Sequence, residues 1–151
     1  ECLWQPESQS QSKTNFSSFY KYLKNSNLDF NENYEDLWKW SIENKESFWL
    51  NLFNYFVESF SDEEKTPLSY FWLGEISLIK NDLENAMAFF MELISSYPNH
   101  YRVPLSHKKI GDIYLQSDDM KSAKDKYNFV VREYPNNTAS SLALQLLKNM
   151  E

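Results

Sequence analysis

The sequence predicts an all-α protein, and three observations support that prediction. The 151 residues include only 2 glycines and 5 prolines, so few turns need a positive φ angle and few helices are interrupted. Apolar residues recur at helical spacing, and the second half of the chain repeats itself. We therefore expect a helical amino-terminal segment, residues 1–60, followed in residues 61–151 by two helix pairs and a capping helix, an α-solenoid.

Composition marks the boundary between these two parts. Fifteen of the 26 aromatic residues lie in the first 60 positions, and the polar stretch 61–65 follows them. The net charge of −7 is spread over both parts, −4 in residues 1–60 and −3 in residues 61–151. Two domains of modest size are therefore expected.

Charge and hydropathy also exclude several classes of function. The chain has no basic stripe, so we expect no nucleic-acid partner. It has no apolar run of 18 residues or more, so no membrane span is predicted. No signal peptide is visible, and Cys2, the single cysteine, allows no internal disulfide.

The repeat is anchored on the two glycines, Gly74 and Gly111, which lie 37 residues apart. When the two copies are aligned on these glycines without gaps, the apolar residues beside each glycine, the turn residues and an Ala-x3-aromatic pair all match. The matched pairs are Leu73 with Ile110, Ile76 with Ile113, Asn81-Asp82 with Asp118-Asp119, Ala86 with Ala123, Phe90 with Tyr127, and Tyr97-Pro98 with Tyr134-Pro135.

Each copy is predicted to be a helix, a turn and a second helix. In the first copy the turn lies at Asn81-Asp82, and the second helix runs from about Leu83 to Tyr97, where Pro98 ends it. A mid-helix glycine costs about 1 kcal/mol relative to alanine, so we expect the partner helix to approach Gly74 closely, with Ala86 facing it. A closing helix that carries leucines at 142, 144, 146 and 147 is predicted over residues 139–150, because the last repeat needs one face covered.

These motifs resemble the tetratricopeptide repeat, with its Leu-Gly pair, Ala-x3-aromatic spacing and helix-ending proline. Over residues 66–150 the chain also resembles the carboxy-terminal repeats of the Tol-Pal-associated cell division coordinator of Gram-negative bacteria. The stretches that carry this resemblance are Tyr70-x-Trp72-Leu73-Gly74-Glu75, Lys109-Ile110-Gly111 and the two Tyr-Pro pairs. The resemblance implies a periplasmic, non-catalytic protein that binds other envelope proteins.

Three helices are predicted in the first part of the chain. One carries Phe16, Phe19, Tyr20 and Leu23 on one face after a cap at Thr14 or Asn15; the next spans 34–42 after Asn33, and the third spans 45–60 after Asn44. Trp38, Trp40 and Trp49 fall within this region. At helical spacing, we interpret such rings as core or interface residues rather than as a ligand-stacking site; without a cover, Trp49, Phe53 and Phe56 would form an exposed apolar patch.

A second resemblance covers residues 2–57. Leu3-Trp4-Gln5-Pro6, Leu37-Trp38-x-Trp40-Ser41-Ile42 and Phe48-Trp49 are similar to the amino-terminal segment of acetoacetate–CoA ligases and acetyl-CoA synthetases. This resemblance implies a cytoplasmic location and a missing adenylate-forming domain. Because no glycine precedes Gly74, the first part lacks a phosphate-cradling loop, and the chain alone is predicted to be inactive as a ligase.

No catalytic, cofactor or metal site is predicted. His100 and His107 are seven residues apart with no cysteine near, which is poor metal-ligand spacing. Asp82 and Asp118-Asp119 lack the glycine and the closing glutamate of a calcium loop, so we assign them to turns and helix caps. Ser61 and Glu64 have the spacing of a capping box.

One partner-binding surface is predicted on the first helices of the two pairs, which line the concave face of a stack. We expect a protein or peptide partner there, because apolar side chains beside mixed charges suit a peptide. The alternative is that these are ordinary surface positions. The residues are Phe71, Glu75, Leu78, Lys108, Asp112 and Leu115.

Overall fold

The computed structural model describes residues 14–26, 28, 33–60 and 65–150, and all regular secondary structure in this part of the chain is α-helical. This confirms the predicted all-α class. The chain divides into two compact units, residues 1–59 and 60–151. The helices are α1 (Asn15–Asn25), α2 (Tyr34–Glu43), α3 (Lys45–Ser59), α4 (Lys65–Ile79), α5 (Leu83–Ser96), α6 (Val103–Gln116), α7 (Met120–Glu133) and α8 (Thr138–Asn149).

Side-chain caps start the first two helices. The Thr14 hydroxyl accepts the backbone N–H of Ser17 at 3.1 Å, and the Asn33 side chain accepts the N–H of Asp36 at 2.8 Å. Both caps were predicted, and both satisfy donors that the first helical turn leaves open. The predicted Asn44 cap is wrong. Because Asn44 lies between two adjoining helices, its side chain instead donates to the Trp40 carbonyl at 3.2 Å and closes α2.

The core of the first unit is small and aromatic. Phe19, Leu23 and Leu37 are buried, and Trp40, Phe48 and Tyr55 pack around them. Trp40 meets Phe48 edge to face with ring centroids 6.2 Å apart.

Of the three tryptophans expected to pack, only Trp40 joins this core. The side chains of Trp38 and Trp49 are 51% and 48% exposed because they lie on other faces of α2 and α3. Trp49 stacks on Phe53 with centroids 5.7 Å apart. Phe53 and Phe56 are half-buried, so Trp49 is the only exposed one of the three rings that could have formed an apolar patch.

The second unit is built from two helical hairpins and a final helix. α4 packs against α5 and α6 packs against α7, while α6 also contacts α5, and α8 contacts α7 and α6. Asn81 and Asp118 turn each hairpin with φ angles of 57° and 61°, a conformation that Asn and Asp adopt more readily than most residues. Asp82 and Asp119 then cap α5 and α7, which confirms the turn-and-cap assignment.

Each glycine lies under an aromatic ring of the partner helix. A Cβ atom on Gly74 would be 2.6 Å from the Phe90 ring, and one on Gly111 would be 2.5 Å from the Tyr127 ring. The close approach was predicted, but Ala86 as the facing residue was wrong. Ala86 is fully buried one turn before the ring, and it is the ring that requires the missing side chain.

The last helix closes the stack through small side chains. Ala139, Ser140 and Ala143 are buried, and Ala139 and Ala143 belong to the cluster around α7. Leu142 and Leu144 are 45% and 41% exposed, because the face of α8 that packs against the stack is the one with the small residues. Counted at the 37-residue interval, α8 occupies the place of a first helix.

Two features named from the sequence lie outside the described residues. They are the Leu3–Pro6 motif and the Ser61–Glu64 capping box.

Candidate partner-binding face

The candidate site is the face of α4 and α6 that carries five of the six predicted residues. Successive positions 68, 71, 75 and 78 share one side of α4, and positions 105, 108, 112 and 115 share the same side of α6. We call this the first-helix face. Its predicted members with partly exposed side chains are Glu75, Leu78, Lys108, Asp112 and Leu115.

An ion pair crosses this face between the two hairpins. The Lys109 Nζ atom lies 2.8 Å from both carboxylate oxygens of Glu75. The two side chains are each 23% exposed, so the pair is screened less than a fully exposed one. This contact fixes α6 beside α4 and neutralises the acid that the sequence placed on the face.

A second acid is held within α6. The Lys108 Nζ atom lies 2.8 Å from Asp112 Oδ2, and the hydroxyl of Tyr127 donates to Asp112 Oδ1 at 2.8 Å. Burial, together with the adjacent Asp112 carboxylate, raises the pKa of Tyr127. The Tyr127 hydroxyl therefore stays protonated and keeps its hydrogen bond to Asp112. The other carboxylate oxygen of Asp112 is held by Lys108.

Phe71 does not lie on the surface as expected. Its side chain is 3% exposed and packs edge to face on Phe90, with ring centroids 5.8 Å apart. The guanidinium carbon of Arg102 lies 4.8 Å from the Phe71 ring centroid and covers it. What a partner would meet here is Arg102. Helical periodicity could not identify Arg102, because this residue precedes α6 in the connection between the hairpins.

The apolar part of the face is larger than predicted. Leu78 packs beside the core of the first hairpin, and Leu115 packs beside that of the second. A further row of leucines recurs at the 37-residue interval on the three first-helix positions. They are Leu68, Leu105 and Leu142, of which Leu142 is the most exposed. The 37-residue interval is visible in the sequence, so this row of leucines could have been predicted from it.

The two histidines show no metal-site geometry in the described part of the chain. No group of three or more His, Cys, Asp or Glu side chains converges among those residues. The His107 ring packs between Phe129 and Tyr134, with centroids 4.7 Å and 6.0 Å away. Burial, assisted by Lys126, lowers the pKa of His107 to about 4, so the ring is neutral at pH 7.

Comparison with protein families agrees with this architecture. Residues 68–100 match the family model described as "Tetratricopeptide repeat", and the match falls on the α4–α5 hairpin. The chain therefore contains tetratricopeptide-like repeats in an α-solenoid, a fold that generally mediates protein–protein interaction and is typically non-catalytic. No curated protein matches the chain. Within the described ranges, no helix is both long and apolar enough to span a bilayer.

Proposed function

We propose that this chain is a non-catalytic interaction module that binds a peptide or helix of a partner protein on the first-helix face. The observation that carries the proposal is that partly exposed leucines lie at equivalent positions of α4 and α6, and that charged side chains of α6 beside them are already paired. Leu78 and Leu115 supply apolar contact, while Lys108 and Asp112 supply polar contacts already held in place. Holding polar groups in position before binding lowers the entropy lost on association.

A peptide-display selection against the purified chain tests this proposal. Peptides that bind the wild-type chain should lose at least about tenfold in affinity for a Leu78→Glu/Leu115→Glu variant, because two apolar contacts are replaced by charge. Ala88→Glu, an exposed change on α5, is the matched control and should bind normally. Selected peptides that bind all three proteins equally would refute the proposed face.

A second variant separates binding from stability. Glu75→Lys/Lys109→Glu preserves the ion pair between α4 and α6 while reversing its polarity. We expect the thermal midpoint to stay near that of wild type and the selected peptides to change in charge pattern. An unchanged selection would place the binding surface elsewhere.

For the biological role we propose a cell-envelope factor that acts in Tol-Pal-linked cell division. The support is the similarity of residues 66–150 to the repeats of that coordinator, in particular Trp72-Leu73-Gly74-Glu75 and the Tyr97-Pro98 and Tyr134-Pro135 pairs. This role implies a periplasmic location. Co-purification of Tol-Pal components with the wild-type chain, and not with the Leu78/Leu115 variant, is the expected result.

The alternative proposal is an amino-terminal fragment of an acetoacetate–CoA ligase, supported by the Leu37-Trp38-x-Trp40-Ser41-Ile42 motif. This would imply a cytoplasmic location and an adenylate-forming domain encoded downstream. The chain itself should show no ATP-dependent acyl-CoA formation. Turnover by the purified chain would contradict both proposals.

A further inference from the structure

The second helices of the two hairpins carry opposite charge. α5 contains Glu84 and Glu92 and no Lys or Arg, which gives a charge of −2. α7 contains four cations and two acids, which gives +2 in a chain whose net charge is −7. The cations are Lys121, Lys124, Lys126 and Arg132, and the acids are Asp125 and Glu133.

Two cations of the basic helix, α7, lie close to one aromatic ring. The Lys126 Nζ and Arg132 Cζ atoms lie 5.6 Å and 5.8 Å from the centroid of Phe129. The side chain of Lys126 is partly buried, and none of the ion pairs found among the described residues includes it. Burial lowers its pKa. A carboxylate brought to this surface would therefore give this cation an ion-pair partner.

The acidic helix has the complementary pattern. Glu84 and Glu92 are exposed, and Met91 beside them is 47% exposed. Glu84 and Glu92 are eight residues apart, the same interval as Lys124 and Arg132, or about 12 Å along a helix. Arg132 is paired with its neighbour Glu133 at 2.7 Å, but both side chains are exposed, so this pair is readily exchanged. Two such helices can therefore match both charges at once while the methionine contacts an apolar ring.

We propose that the chain forms a dimer in which α5 of each copy packs against α7 of the other. α6 contacts both α5 and α7, so the two helices flank it as the second helices of neighbouring hairpins. A two-fold axis then allows the acidic and basic helices to meet twice, and two-fold dimers are the commonest assemblies. This proposal is independent of the first-helix face, because it involves the other helix of each hairpin.

Sedimentation velocity on the full chain tests the dimer. At low ionic strength, about 50 mM, we expect a concentration-dependent dimer that weakens as added salt screens the charges. The variants Glu84→Lys/Glu92→Lys and Lys124→Glu/Arg132→Glu should each weaken self-association at least about tenfold, since like charges then face each other. Circular dichroism should show unchanged helix content, because Glu84, Glu92 and Arg132 are exposed and Lys124 is only partly buried.

Mixing the two charge-reversed variants is the decisive experiment. In a mixed pair the reversed α5 meets the reversed α7 and the two unaltered helices meet each other, so the heterodimer should form again. The control Glu43→Lys/Glu46→Lys changes net charge equally on exposed residues of α2 and α3 and should leave dimerisation intact. A wild-type chain that stays monomeric at low salt, a control that dissociates as readily, or no association on mixing would each overturn the proposal.

Discussion

The two hairpins share a core and differ on their surfaces. Gly74 lies under Phe90 in the first, and Gly111 lies under Tyr127 in the second, at the same register and almost the same distance. Yet Glu84 and Phe89 of the first helix pair correspond to Lys121 and Lys126 of the second. The repeat therefore fixes how the helices stack and leaves exposed positions such as 84 and 121 free to differ in charge.

The largest expected effect comes from removing the ring in either hairpin. Phe90→Ala and Tyr127→Ala each delete a fully buried ring, so the free energy of unfolding should fall by about 3–5 kcal/mol. Chemical denaturation followed by circular dichroism measures this loss. Similar losses would confirm equivalent cores, and a loss below about 1 kcal/mol in one hairpin would break the equivalence.

Adding a methyl group under the ring should cost less. Gly74→Ala and Gly111→Ala place a Cβ atom at 2.6 Å and 2.5 Å from the ring, which is overpacking worth about 1–3 kcal/mol, offset by about 1 kcal/mol of helix propensity. We expect net destabilisation in both hairpins by the same denaturation measurement. Ala88→Gly on the exposed side of α5 is the contrasting control and should lose only its helix propensity, about 1 kcal/mol. A stabilised Gly→Ala variant would show that the ring moves freely.

Tyr127→Phe tests a contact that only the second hairpin has. The variant removes the hydroxyl that donates to Asp112 at 2.8 Å, and Phe90 already occupies the equivalent place. Stability should fall by about 1–2 kcal/mol, because a hydrogen bond to a charged group is lost. Adding Asp112→Ala to the Tyr127→Phe variant should cost less stability than Asp112→Ala costs in the wild-type chain, because the hydrogen bond is already gone.

A pH-dependent effect distinguishes His107 from Tyr70, its equivalent in the first hairpin, and leaves stability at pH 7 unchanged. The folded pKa of His107 is about 4, below the ordinary value of 6.5, so the unfolded chain binds this proton first. The contribution of neutral His107 is complete above pH 6.5 and is lost as pH falls towards 4. His107→Tyr should show a flatter stability profile between pH 6.5 and 4 than wild type. Parallel profiles would contradict the burial of the ring.

Much of the fold was predictable because it rests on local patterns. Asn81-Asp82 and Asp118-Asp119 carry turn and cap chemistry in the residues themselves, and the interval between the glycines set the repeat. Contacts between helices were less predictable. Helical periodicity identified Phe71 as facing the concave side but could not show that Arg102, from a connection, would cover it. Similarly, periodicity could not distinguish Trp40, which packs, from Trp38 and Trp49, which are half exposed.

The charged part of the first-helix face was only partly predictable from the sequence. The acids on the first-helix face were visible from the sequence, but Lys109, which neutralises Glu75 from the next hairpin, was not, because the two are 34 residues apart. Ion pairs between repeats depend on how the helices lie side by side. The row of leucines at 68, 105 and 142, by contrast, can be predicted from the 37-residue interval alone.

Amide chemical-shift mapping with a peptide selected against the chain can locate the binding surface residue by residue. If the peptide binds the first-helix face, the shifts should concentrate on α4 and α6, around Leu78, Lys108 and Leu115, and should disappear in the Leu78→Glu/Leu115→Glu variant. Shifts confined to α5, α7 or the first unit, with α4 and α6 unchanged, would contradict binding at this face.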